Sequence, residues 1–302
     1  MIISVASGKG GTGKTTVAVN LALVLSNVQF LDCDVEEPNA HLFLKPDVKD
    51  RKVATIPIPQ VDESKCNYCG RCRDICAYNA IAVMPKNGDR KGSVLIFPHL
   101  CHSCGGCSLL CPQNAISEVE KEIGIIERGN CGVIQFVHGR LNIGEIMSPP
   151  LIKQVKEYIN PARTIIIDAP PGTSCPVIAS VKGSDFCILV TEPTPFGLND
   201  LVLAVEVLEK LQIPHGVLVN RSDIGDDKVD LYCKGKNIPI LMRIPFDKEI
   251  ASLYSRGITI VEEKKEYIEK FRDVFNLITV SCHSERSEES RKETPRFTQG
   301  DK

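Results

Sequence analysis

Two groups of residues in this chain have the types and spacing that chemistry needs. The first is Gly8-Lys9-Gly10-Gly11-Thr12-Gly13-Lys14-Thr15, which fits G-x-x-x-x-G-K-[ST]. Glycines at these positions let the backbone curl until successive N–H groups point at phosphate oxygens, with a helix N-terminus behind them. In such a loop Lys14 reaches the β- and γ-phosphates and the Thr15 hydroxyl ligates Mg²⁺. The expected ligands are therefore ATP and Mg²⁺.

The second group is cysteine. Of fourteen cysteines, eight fall between Cys66 and Cys111. CNYCGRCRDICAYNAI (66–81) and CHSCGGCSLLCPQNAI (101–116) are a duplicated C-x2-C-x2-C-x3-C run, the spacing of [4Fe–4S] ligands. In this motif three thiolates on a tight loop cap one cube, and the fourth cysteine is expected to start a helix and point to the other. One cluster then takes Cys66, Cys69, Cys72 and Cys111, the other Cys101, Cys104, Cys107 and Cys76. Pro112 follows Cys111 as usual, whereas Ala77 follows Cys76. Four-cysteine zinc binding is the alternative, and eight cysteines in this spacing weigh against it.

The elements that must hold these residues alternate. IISVAS (2–7) leads into the glycine loop, and TTVAVNLALVLS after Lys14 has a helical pattern. Further apolar runs at 28–32, 163–170, 186–191, 215–220 and 238–244 read as buried strands, with helices such as 198–212 between them. The implied fold is α/β: a P-loop parallel sheet with helices on both faces, spanning 1–61 and 118–280. A ferredoxin-like unit at 62–117 is inserted between its second and third strands. The polar stretch 281–302 is expected to be a disordered tail.

Composition narrows the rest. A net charge of −2 gives no reason to expect nucleic-acid binding. No apolar run approaches the roughly 20 residues of a membrane span. The N-terminus turns glycine-rich too soon for a signal peptide, so the expected location is cytoplasmic. The amphipathic segment 263–278, with Ile268, Phe271, Val274, Phe275 and Ile278 on one side, is expected to pack on the core.

K-G-G-x-G-K-T-T, ending in Thr15 and Thr16, resembles the deviant Walker A motif of the MinD/ParA family. That family includes the nitrogenase iron protein and the Mrp-type iron–sulfur carriers, and the insert resembles its subgroup with a two-cluster ferredoxin domain. The resemblance implies that Lys9 crosses a dimer interface to the partner's nucleotide, so that ATP binding drives dimerisation, with itself or a similar protein. Asp32-Cys33-Asp34 is similar to the family's first switch, implying that Asp34 orients the attacking water and Asp32 lies near the metal. Asp168, followed by Ala169-Pro170-Pro171-Gly172-Thr173, is similar to the Walker B and second switch, with Asp168 holding Mg²⁺ through water and Gly172 offering its N–H to the γ-phosphate. Asn220 matches the position that reads adenine, and Pro245-Phe246-Asp247 resembles the loop flanking the base. Taken singly, each aspartate reads equally well as a strand-end turn residue.

Cys175, seven residues after Asp168, has the offset of the iron protein's bridging-cluster cysteine, with Cys131 a poorly spaced counterpart; incidental thiols are the favoured reading. Three functions are consistent with these residues. One is an ATPase whose dimer switching is coupled to electron transfer through two clusters to a redox partner protein. A second is an Mrp-type cluster carrier, although no C-x-x-C follows Cys111. The third is a positioning ATPase with structural clusters.

Overall fold

The apolar runs IISVA, TIIID and FCILVT contain no polar alternation, and such strands are stable only when covered on both faces. In the computed structural model, which describes residues 1–88 and 91–292 with side chains through Cys282, they are central and buried. The strands are β1 (Ile2–Ala6), β2 (Val28–Asp32), β3 (Asp47–Val61), β4 (Ile81–Met84), β5 (Ser93–Ile96), β6 (Ile116–Cys131), β7 (Ile134–Leu141), β8 (Thr164–Asp168), β9 (Phe186–Thr191), β10 (His215–Asn220) and β11 (Ile240–Ile244). Nine of them form one sheet in the order β11-β10-β9-β1-β8-β2-β7-β6-β3, and β4 pairs with β5 alone.

From β11 to β7 the sheet is parallel, as expected. The other edge is not: β6 runs antiparallel to β7, and β3 antiparallel to β6. The two-residue turn Gly132-Val133 imposes the β6–β7 pairing, because so short a connection can only join antiparallel strands. Gly132 takes φ 55° there.

The helices are α1 (Lys14–Val24), α2 (Ala40–Leu44), α3 (Arg71–Ile75), α4 (Gly106–Leu109), α5 (Pro149–Lys156), α6 (Cys175–Val181), α7 (Pro195–Leu211), α8 (Lys228–Lys236), α9 (Lys248–Ser255), α10 (Ile260–Glu263) and α11 (Glu266–Lys292). α1 is buried almost all round, beneath α11. Tyr267, Phe271, Val274 and Ile278 recur every three or four residues along α11 and are buried in the main core, so this helix packs inward as its pattern predicts. α11 also runs past residue 281, where a disordered tail was expected. Its continuation is rich in Glu, Arg and Lys, good helix formers that extend a helix already nucleated by packing. Residues 293–302 lie outside the described residues.

The cysteine-rich segment is not attached directly after β2. β3 intervenes, and the segment connects the far end of β3 to the start of β6. Val61 pairs with Ile116, and the Asp62 N–H donates to the Ala115 carbonyl at 2.8 Å. β3 and β6 form a ribbon beside β7 whose apolar stretch, at Ala54, Ile56, Ile123 and Ile126, shares a core with α5. The ribbon thus ties the cysteines to the sheet.

Candidate functional site

In a parallel sheet with helices on both faces, ligands sit at the carboxyl ends of the strands. Here the glycine loop follows β1, Asp32 ends β2 with Asp34 just beyond it, Asp168 ends β8, and Asn220 ends β10. Their loops surround a cleft of about 340 Å³. Its walls include Gly10, Gly13, Lys14, Thr15, Asp34 and Asn220 near the loop, and Pro245, Phe246 and Tyr254 at an apolar end. Thr16 and Gly11 also line it.

The glycine loop is shaped by close approaches. A Cβ on Gly8 would lie 2.2 Å from the Asp200 carbonyl oxygen, which no side chain tolerates. Gly13 takes φ 95° at the head of α1, and a Cβ there would meet the Asn220 amide at 2.7 Å. That amide donates to the Thr12 carbonyl at 2.8 Å, so Asn220 braces the loop from within the cleft. The Thr12 hydroxyl is buried without a partner in the protein.

The acids converge. The Thr15 hydroxyl donates to Asp168 Oδ2 at 2.6 Å, while Asp168 Oδ1 is buried and unpartnered. Burial pushes the Asp168 carboxyl up to about 7 against the pull of the Thr15 bond and Lys14, and burial pushes Asp34 up to about 6. Asp32 is raised well above the ordinary aspartate range by burial and then by the Asp168 charge. Three acids this reluctant to ionise, with an orphaned carboxylate oxygen beside a hydroxyl, suit a bound cation. Thr15 and Asp168 have free lone pairs for it. Asp32 has other work: its oxygens accept the N–H groups of Asp34 and Ala40, each at 3.1 Å, which fixes the start of α2.

Two further expected residues are engaged locally. The Gly172 N–H donates to the Ser7 carbonyl at 3.0 Å, so the segment after β8 is fastened to the glycine loop. Lys9 Nζ lies 3.6 Å from Glu192 Oε2, while Arg221 Nη1 is 3.2 Å from Glu192 Oε1. Glu192, buried at the end of β9, escaped the sequence reading; its position at a strand's carboxyl end was the available signal.

The eight clustered cysteines line two cavities, four to each. One is walled by Cys66, Cys69, Cys72 and Cys111 with Tyr68 and Ile116. The other is walled by Cys76, Cys101, Cys104 and Cys107 with Pro57 and Glu118. The repeat, offset by 35 residues from Cys66 to Cys101, extends to the backbone. Tyr68 and Ser103, Gly70 and Gly105, Asn79 and Asn114 take positive φ as matched pairs. Four backbone N–H groups point at sulfur, from Tyr68 to Cys66, Ala80 to Cys76, Ser103 to Cys101 and Ala115 to Cys111. The fourth cysteine of each run follows its helix rather than starting it, since Cys76 closes α3 and Cys111 comes after α4; the third cysteine, Cys72 or Cys107, is the helical one. Among the described residues no three His, Cys, Asp or Glu side chains converge on a single-ion position. Cys131 and Cys175 are not brought together. Cys175 opens α6 beyond the carboxyl end of β8, while Cys131 pairs with Ile134 at the start of β7, the amino end of the parallel strands.

The CobQ/CobB/MinD/ParA nucleotide-binding-domain family matches residues 3–260. An uncharacterised protein of Methanocaldococcus jannaschii is 34% identical, covering 92% of this chain and 96% of that protein. An iron–sulfur cluster carrier protein of Pyrococcus horikoshii is 25% identical over 86% of this chain and 78% of its own length. The septum site-determining protein MinD of P. horikoshii, solved with Mg-ADP, shares the fold with a TM-score of 0.54 at 22% identity, covering 90% of this chain and 93% of that one.

Proposed function

The chain belongs to the CobQ/CobB/MinD/ParA nucleotide-binding family, and on that premise we propose that it is an ATPase that couples nucleotide-driven dimer switching to electron transfer through two [4Fe–4S] clusters. Thr15 and Asp168 would hold Mg²⁺, Lys14 would neutralise the phosphates, and Asp34 would position the attacking water. Lys9, one-third exposed at the cleft rim, would leave Glu192 for a partner chain's nucleotide.

The two cavities support the cluster part, because each gathers the four cysteines that cross-ligation requires. A cube takes a thiolate at each of four corners, so its ligands stand farther apart than those of one ion. Each cluster, when bound, stores and passes one electron. Cytoplasmic location and an unidentified redox partner complete the reading; among the described residues no helix is long and apolar enough to cross a membrane.

The observation that carries the coupling is a chain of contacts from the cleft to the cysteines. Val35, next to Asp34, accepts the Leu141 N–H at 2.8 Å. Glu36 accepts the Ser148 hydroxyl at 2.8 Å, and in the same 142–148 loop Glu145 pairs with Lys121 of β6 at 2.8 Å. β6 continues to Glu118 and Ile116, which line the two cysteine cavities. A shift at Asp34 would have an unbroken path of directional contacts to them, which is what supports the coupling. The test is ATP hydrolysis by anaerobically purified protein with clusters oxidised and reduced, together with cluster oxidation with and without ATP. The reading expects each to respond to the other. Mutual indifference removes the coupling, and transfer of clusters to an apo-acceptor would favour a carrier, the role named for the P. horikoshii relative.

A further inference from the structure

The two cysteine cavities are repeats, yet their surroundings differ. Hydrogen bonding to sulfur does not separate them. Cys66 and Cys111 each accept one backbone N–H in one cavity, as Cys101 and Cys76 do in the other, all at 3.3–3.4 Å. Burial does. In the first cavity Cys66, Cys72 and Cys111 are half-buried and Cys69 is exposed; in the second Cys76 is half-buried and Cys104 exposed, but Cys101 and Cys107 are buried, each 8% exposed. Pro57 and Pro59 of β3 cover that second cavity. Charge differs in the same sense: Arg71 lines the first cavity and Glu118 the second. The Arg73–Asp74 pair nearby compensates itself.

We propose that the clusters differ in reduction potential, with the one in the Cys101 cavity the lower, and this rests on the cluster reading above. Four thiolates already make each site anionic, and reduction adds one more negative charge. A less hydrated site resists that charge more strongly. Glu118 opposes it and Arg71 favours it, each by a share that solvent screening reduces because both are exposed. In the singly reduced protein the electron resides in the Cys66 cavity. That cluster is the reduced one, its neighbour stays oxidised, and no bond or proton moves. The resting electron thus lies at the end of the ribbon beyond Val61, away from the sheet.

The test is reduction of the anaerobically purified full chain by dithionite through redox mediators, followed by electron paramagnetic resonance against potential. Two one-electron steps are expected, at least about 59 mV apart, the gap at which the two sites' reduced populations differ tenfold. Glu118→Gln should raise the lower step alone, and Arg71→Gln should lower the upper step alone. Coincident steps, or variants that act on the other step or on neither, overturn the inference. Iron and sulfide contents well below about eight each per chain would overturn the cluster reading itself.

Discussion

Replacing Asp168 with asparagine should stabilise the fold at pH 8, because burial opposes the charge of its carboxylate. Burial holds its carboxyl at about 7, against an ordinary aspartate value of 3.8. A raised acid favours folding while it stays protonated, and that advantage is lost as pH rises from about 4 through 7. At about 1.4 kcal/mol per pH unit, the loss at pH 8 is on the order of a few kcal/mol, and part of it acts through Asp32, whose carboxyl the Asp168 charge also raises. Asparagine keeps an acceptor for the Thr15 hydroxyl and removes the charge. Asp168→Asn should therefore unfold at higher urea than the parent at pH 8 without Mg²⁺, and the gap should narrow as pH falls towards 4. Comparing variant with parent cancels acids of opposite sign elsewhere, such as Asp62 and Asp247, whose carboxyls are held low mainly by bonds to Ser64 and Lys264. Adding Mg²⁺ should stabilise the parent and not the variant. An asparagine variant that is less stable at every pH, or a gap that ignores pH, refutes the argument.

Other changes have readable outcomes. Gly8→Ala forces the loop away from the Asp200 carbonyl and should weaken ATP binding more than tenfold by calorimetry, about 1.4 kcal/mol or more. Lys156→Met removes an ammonium that donates to the Ala179, Ser180 and Lys182 carbonyls at the end of α6, at 2.6–3.0 Å, and should cost about 2–3 kcal/mol in denaturant unfolding. Lys121→Met leaves Glu145 unpaired and largely buried, which should cost about 1–3 kcal/mol and speed hydrogen exchange in residues 142–148.

The glycine loop and the cysteine runs were legible because each is contiguous, so its chemistry is written in local spacing. β1, β2, β8, β9 and β10 were legible because strands buried on both faces are unbroken apolar runs. β3, β6 and β7 were not. β6 reads ISEVEKEIGIIERGNC, whose charged half extends past β7 and pairs with β3 alone, so its pattern is neither a buried run nor a clean alternation. Partners remote in sequence were equally hidden: Asn220 bonds to Thr12, and Glu192 faces Lys9. Spacing places Asn220 at a strand end but cannot show that its side chain braces the loop.

The paired exit and entry at Val61 and Ile116 lowers the entropic cost of the insertion. The chain leaves and rejoins the sheet on adjacent hydrogen-bonded strands, so the ends of the inserted segment are already held together by the host. Ordering the segment closes no long loop, and deleting it would leave a gap that a two-residue hairpin turn can bridge. The cysteine unit is in that sense attached like a cassette, both its ends meeting at one hydrogen-bonded strand pair of the host.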